Sequence, residues 1–472
     1  MQKFCYRLFL IRILILVLGT ACTNLLLAIN VRGQSFSNST SALSKDSSFS
    51  TKAVDLLLES YKAVLIKNTQ FFFEGTVESE QVLAQEQKKQ DQVIPPGELV
   101  FDVGENFGFG SIIEPPTALN GLTRKGFILP GSSTFNTLPI TINFQQKVGD
   151  SQRLLMQAIG VDPQLFGVDI SYTLAPKSLP GAFSANFIYQ STLNPAFESE
   201  DSDRNVTLPQ GGDAWVNGIG GGIEYSQNLA PNLDLAAGVN YQRVSVRSGM
   251  FSNEIEPVDE LDNSLTVSPT GQDDLLTLNL AALYTNVDNP KYPNRGFKAY
   301  LDLNQSIPVG EANILSTLLA ASLTQFIPFG SGQNPSSLVL NIQGGTILGD
   351  APPYGAFNLG GGNSVRGYDT GGVSTGKSFI QATAEYRIPL FSFDFFKQPN
   401  DVLGSLFFDY GTDLGTADEV IGEPAVVRDK PSDGFGYGLG LQWRSPFGLL
   451  RLEGGLNDRG DGTIFFGGGS RF

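Results

Sequence analysis

The stretch FNLGGGNSVRGYDTGGVSTGKSF, residues 357–379, is a glycine-dense loop with a single arginine, Arg366, near its centre. Glycine loses more backbone freedom on folding than any other residue. A run that includes Gly360, Gly361, Gly362, Gly367, Gly371 and Gly372 therefore implies unusual dihedrals or very close neighbours. A guanidinium held in such a loop needs a carboxylate, because a buried unpaired one costs several kcal/mol of lost hydration. The chain offers Asp409 for that role, with Glu385 as the rival acceptor.

Ser364-Val365-Arg366-Gly367-Tyr368 resembles the VRG(F/Y) signature of the BamA/TamA (bacterial surface antigen) and two-partner-secretion transporter superfamily of outer-membrane barrels. Phe407-Phe408-Asp409-Tyr410-Gly411 is similar to the FxDxG strand motif of that family. Asp288-Asn289-Pro290 followed by Tyr292-Pro293-Asn294-Arg295-Gly296 resembles its periplasmic turn. One such tetrapeptide arises by chance; three motifs in the family's order are specific. The resemblance covers residues 139–472 and implies a barrel that moves or inserts unfolded polypeptide. It also implies that Val365, Arg366, Gly367 and Tyr368 form a functional loop facing Phe407, Asp409 and Gly411. The family normally carries periplasmic POTRA modules, and residues 34–96 are too short and too poor in alternating strands to hold one.

Composition narrows the function independently. The chain has 54 Gly, 34 Phe, 17% charged residues and a net charge of -16. With 31 basic against 47 acidic residues and no basic stripe, it lacks the footprint of a nucleic-acid binder. The absence of histidine removes the commonest general base and metal ligand, so neither a cofactor nor a metal is expected. Both cysteines, Cys5 and Cys22, lie in the first stretch of the chain.

That first stretch places Lys3, Arg7 and Arg12 before an apolar run from Ile13 to Ile29. It reads as a secretory signal peptide over residues 1–33, with cleavage before Gln34. A flexible Ser-rich linker follows. Ala53, Leu56, Leu57, Tyr61, Val64 and Leu65 then recur at helical spacing, so residues 34–96 are expected to be a short helical or disordered periplasmic segment. The helix over residues 52–67 fits either a spacer or an element occupying a barrel lumen.

From Pro139 the period becomes two. Leu233, Leu235, Ala237, Val239 and Tyr241 share one face of a strand, with Asp234, Gly238, Asn240 and Gln242 on the other. Tyr437, Leu439, Leu441 and Trp443 likewise alternate with Gly436, Gly438, Gly440 and Gln442. Short connections at 175–181, 228–231 and 445–448 alternate with long polar ones at 193–213, 249–273 and 412–433, which is the pattern of an outer-membrane barrel. The expected fold is all-β, a transmembrane antiparallel β-barrel over residues 97–472. About fourteen strands follow Pro139 and two weaker ones lie in 97–129, giving about sixteen.

Alternation turns Phe407, Asp409, Glu385 and Arg387 into the lumen, since a charge at mid-membrane depth on the lipid face costs ~2–4 kcal/mol. Asp259, Glu260, Asp262, Asp273 and Asp274 lack calcium-site spacing and read as a solvated external face. No nucleophile motif accompanies the lumenal carboxylates, so an enzyme is not expected. Two functions remain open: a translocation or insertion barrel, and a passive solute pore narrowed by its own loop. Expected partners are outer-membrane lipid, unfolded polypeptide and the outer-membrane assembly machinery, the last reading a final strand that ends in Phe472. The expected location is the outer membrane of a double-membraned bacterium, or an equivalent outer envelope, with the N-terminus periplasmic.

Overall fold

A computed structural model describes residues 99–103 and, from 140 to 472, all but 150–151, 163–164, 177, 199–204, 291, 331–334, 396–397, 446–447 and 469–470. The expected signal peptide, linker and helix over 52–67 lie outside the described residues.

Sixteen strands form one antiparallel sheet in which each pairs with the next. The first four are β1 (Leu99–Val103), β2 (Ile140–Gly149), β3 (Gln152–Asp162) and β4 (Leu165–Leu174). Next come β5 (Gly181–Leu193), β6 (Trp215–Ala230), β7 (Leu233–Arg247) and β8 (Gln272–Val287). They are followed by β9 (Gly296–Ile307), β10 (Ser316–Phe329) and β11 (Ser336–Gly349). After a two-stranded hairpin, β12 (Phe357–Leu359) and β13 (Ser374–Gly376), the large sheet resumes with β14 (Ser378–Phe395) and β15 (Gln398–Thr412). It ends with β16 (Asp433–Ser445), β17 (Gly448–Asn457) and β18 (Gly462–Gly468). The total of about sixteen agrees with the sequence, but its division differs. Fifteen strands follow residue 139 and one described strand precedes it, because β2 to β4 run as three separate short strands.

The alternation seen in the sequence becomes an inside and an outside. On β16, Tyr437, Leu439 and Leu441 are exposed, at 49%, 65% and 47%, while the intervening glycines point inward. Outward aromatics gather at two levels. Near the short turns, Phe183 meets Tyr225, Phe329 meets Tyr386, and Phe393 meets Phe391 and Trp443. Near the long loops, Phe166 meets Tyr189 and Phe251, and Phe408 stacks on Phe435. An apolar band between two aromatic girdles is the outer surface that a membrane-spanning barrel needs. Among the described residues no helix is long and apolar enough to cross a membrane.

The inner face is polar and buried, with Asn240, Asn279, Asn304, Asn341, Glu385 and Asp409 all at 9% exposure or less. At the long-loop end an apolar cluster forms above the strands. It joins Phe197, Val206, Leu208 and Leu265 of the loops to Val216, Val244 and Val246 of β6 and β7, with Tyr354 packed among them.

Candidate functional site

The 357–379 stretch folds as a hairpin whose arms are β12 and β13, paired from Phe357 with Gly376 to Leu359 with Ser374. Its sides carry a small core of their own, in which Phe357, Leu359, Val365, Tyr368, Val373 and Phe379 are completely or almost completely buried against Ile347. The tip has to turn within a few residues, and Gly367 does so at a φ of 101°. Ser364 fixes the turn from the wall, accepting from Gly360 N and donating to Gln381 Oε1 of β14 at 2.8 Å.

Arg366 is fully buried at that tip. Its Nε and Nη2 donate to the two oxygens of Asp409 at 2.7 and 3.1 Å, a bidentate pair, and its main-chain N adds a third bond to Asp409 at 3.2 Å. Nη1 reaches both Glu385 and Glu453 at 2.8 Å. The guanidinium carbon stands 3.4 Å from the centre of the Phe407 ring. Phe407 and Asp409 are two residues apart on β15, so the pleat brings ring and carboxylate to the same guanidinium from one strand. Gly411, next on that face, leaves the space filled by Val365, whose Cγ2 is 2.8 Å from where a Cβ would stand.

The loop can lie this close because β16 has no inward side chains where it passes. A Cβ on Gly436 would be 1.6 Å from the Arg366 carbonyl oxygen, and one on Gly434 would be 2.6 Å from the Tyr368 hydroxyl. Tyr368 is buried and donates from that hydroxyl to Asp458 beyond β17.

Each carboxylate around Arg366 has a second arginine. Glu385 accepts from Arg387 Nε at 2.8 Å and from Gln442 Nε2 at 2.9 Å. Glu453 accepts from Arg451 at 3.3 Å, and Arg451 also donates to Asn363 of the loop at 2.6 Å. Asp409 accepts from Arg471 at 3.2 Å and from Thr383 Oγ1 at 2.8 Å. Four guanidinium groups thus meet three carboxylates, all at 6% side-chain exposure or less. Buried charge at this density is tolerated only because nearly every donor and acceptor is bonded.

The two acceptors weighed in the sequence, Asp409 and Glu385, both bind Arg366, which also binds Glu453. Glu453 and Arg451 were legible: they alternate with Leu450 and Leu452 on β17, which turns both inward. Arg471 had no such signal, because it lies beyond β18. Its neighbour Phe472 is 6% exposed and packs with Phe326 and Val339 of β10 and β11, six and five strands from the final strand in the sheet.

These residues fall within an Omp85 superfamily domain that spans residues 173–472. The chain belongs to the Omp85 superfamily. Among its relatives, outer envelope protein 80 of Arabidopsis thaliana is 31% identical over 263 residues, covering 56% of this chain and 34% of that protein. Outer envelope protein 39 of Arabidopsis thaliana is 31% identical over 258 residues, covering 52% of this chain and 66% of that protein. Protein TOC75 of Oryza sativa is 33% identical over 339 residues, covering 66% of this chain and 37% of that protein. The chain thus spans about a third of the length of outer envelope protein 80. The crystal structure of BamA from Haemophilus ducreyi lacking POTRA domains 1–3 shares the fold, with a TM-score of 0.54 at 15% identity over 79% of this chain and 69% of that one. The Omp85 chain described here is an outer-membrane β-barrel.

At its long-loop end two of the five acidic residues expected on a solvated face are buried instead. Asp259 and Asp273 are 2% and 0% exposed. Arg428 follows a short helix, α1 (Pro424–Val427), and binds Asp259 at 2.6 Å and Glu260 at 2.7 Å. Burial raises the Glu260 carboxyl, but the Arg428 bond and main-chain donors outweigh it and hold the group below its ordinary range. Asp273 accepts from the main chain of Val267 and Ser268 and from Tyr354 Oη, whose phenol burial pushes well above its usual range. Lys430 donates to the carbonyls of Pro195 and Ala196 and to Thr375 Oγ1, and burial brings its ammonium down to about 7. Asp259 and Asp273, which looked like surface charges, instead tie one long loop to another element, whereas Asp262 is exposed as expected and Asp274 of β8 bonds Arg243 and Tyr241 of β7. Among the described residues no group of three or more His, Cys, Asp or Glu is placed to hold a metal.

Proposed function

We propose that this barrel moves unfolded polypeptide across the outer membrane, or inserts it into that membrane, without covalent chemistry. The Val365-Arg366-Gly367-Tyr368 tip, pinned inside the lumen, is the element that keeps the path narrow. The observation that supports this most strongly is Arg366, fully buried and bonded to Asp409, Glu385 and Glu453 at once. A pore for small solutes gains nothing from packing six charged side chains around Arg366 of its own loop. The family and the presence of outer envelope protein 80 and TOC75 among the relatives agree with passage of protein.

In this reading the short turns and the N-terminus are periplasmic and the long loops external. The assembly machinery reads the last strand and Phe472 before the barrel forms, since Phe472 is packed inside once folded.

Single-channel recording in planar bilayers tests the proposal. The intact protein is expected to show a small, unsteady conductance, and removal of residues 360–376 is expected to raise it. A large, steady conductance in the intact protein would establish the solute pore instead.

A further inference from the structure

Two strands of this barrel present inward glycines in series. Those of β16 are covered by the Arg366 loop, as described. Those of β6 include Gly220 and Gly222, and β6 stands eight strands from β16 in the sixteen-stranded sheet. The loop does not reach this second stripe. The nearest atoms to a Cβ on Gly220 belong to Tyr241 and Gln242 of β7, at 2.2 and 2.8 Å. At Gly222 the nearest atom is the amide oxygen of Asn240, at 1.7 Å, so that side chain reaches across the stripe.

Carboxamides line both margins. Gly222 is paired with Asn186 on β5 and with Asn240 on β7, and Gln190 lies one inward position beyond Ile188 on β5. Asn279 follows on β8, paired with Gly238. Gln190, Asn240 and Asn279 are 3%, 3% and 1% exposed. Nevertheless the amide nitrogens of Asn186, Gln190, Asn240 and Asn279, and the amide oxygen of Asn279, have no hydrogen-bond partner among the described residues. A buried polar atom left unbonded costs about 1–3 kcal/mol, and folded proteins keep few of them. Five on one wall mark a surface that lacks a partner carrying both donors and acceptors.

We propose that the β6 wall binds the main chain of an extended polypeptide, which lies along the glycine stripe with its peptide groups bonded to the flanking carboxamides. This rests on the translocation reading and adds where the passing chain is held and by which atoms. A carboxamide and a peptide group carry the same donor and acceptor, so the match is independent of the passing side chains. An extended chain points its N–H and C=O groups alternately to its two sides, which suits amides on both margins of the stripe. These flanking amides are uncharged, so they do not sort segments by charge; the one carboxylate on the inward face of β6, Glu224, is buried at the next inward position after Gly222. The carboxylates of the Arg366 network stand on β14, β15 and β17, six or more strands from β6 in the sheet.

The test uses the full chain in planar bilayers with two unfolded synthetic peptides of Gly, Ser and Thr, one carrying lysines and one glutamates. Each is about 20 residues long, enough at ~3.3 Å per residue to cross a membrane. The time each peptide blocks the current is read. Both are expected to dwell within about twofold of each other, and Gln190→Leu with Asn240→Leu to shorten both dwell times about tenfold, the size of one or two lost hydrogen bonds. Gln190→Glu with Asn240→Asp keeps the shapes and is expected to lengthen the basic peptide's dwell and shorten the acidic one's. This second pair decides the matter if the leucine pair loses heat-modifiability. Unchanged dwell times in the leucine pair, or equal effects on both peptides in the carboxylate pair, overturn the wall assignment while leaving translocation standing. Failure of both peptides to block the wild-type channel overturns both readings.

Discussion

Arg366 and Arg471 bond the same carboxylate, that of Asp409, from opposite ends of the loop and the chain. With Arg387 on Glu385 and Arg451 on Glu453, the network is three ion pairs plus one shared guanidinium. Four positive and three negative groups leave it at +1. Arg366→Ala therefore brings the network to neutrality with each carboxylate still paired, while Asp409→Ala raises it to +2. A simple pair would make the two losses equal. Here Asp409→Ala is expected to cost about 3–5 kcal/mol and Arg366→Ala less. Adding Arg471→Ala to Asp409→Ala is expected to recover part of the loss. Urea unfolding of the barrel in detergent or lipid, run as a double-mutant cycle, measures the coupling.

The loop is also held by shape, and Gly436 separates shape from charge. A methyl there would sit 1.6 Å from the Arg366 carbonyl oxygen, and its three nearest neighbours are all main-chain atoms. Gly436→Ala is expected to lift the loop off β16, raise conductance and cost about 1–3 kcal/mol, as overpacking does. Gly454, with nothing within 4 Å of its Cβ position, is the control. Gly454→Ala is expected to leave the conductance and the unfolding midpoint unchanged.

Alternation alone was enough to place Phe407, Asp409, Glu385 and Arg387 in the lumen, because period two and the cost of a charge in lipid leave one solution per strand. The same logic turns Arg451 and Glu453 inward, since they alternate with Leu450 and Leu452 on β17. It could not find Arg471 or the pairing of Asp259 with Arg428, since each joins segments outside any strand. Asp259 and Arg428 are 169 residues apart, and no local period links them. Loop charges look solvated in a sequence because burial there is decided by how the loops fold over one another.

Arg428 makes that packing testable. Arg428→Ala removes the partner of Asp259 and Glu260, although Asp259 keeps bonds from Leu261 N, Asn263 N and Asn263 Nδ2. The expected cost is local, about 1–3 kcal/mol. Protease cutting within residues 249–273 is expected to speed up about tenfold while the barrel's heat-modifiability stays intact. A loop that resists protease as well as the wild type would show that Arg428 is not what holds it.

Lys430 gives the long-loop end a pH dependence of definite sign. Its ammonium faces the carbonyls of Pro195 and Ala196 and the hydroxyl of Thr375, with Glu198 favouring its charge and Arg428 opposing it. Burial dominates and lowers the group from 10.5 to about 7. The folded loops therefore bind fewer protons than the opened ones between those values. The cost of the buried charge is fully present below about 7 and fades as pH rises toward 10.5, so the loops tighten with rising pH. Histidine, the usual source of a transition near neutrality, is absent from the chain. Amide hydrogen exchange over residues 193–198 and 372–376, corrected for its intrinsic pH dependence, is expected to be better protected at pH 9 than at pH 6. Lys430→Met removes the charge and keeps most of the stem, and is expected to abolish the difference by raising protection at pH 6. Protection that falls with rising pH in the wild type would mean that the ammonium is stabilised by its carbonyl acceptors more than burial disfavours it.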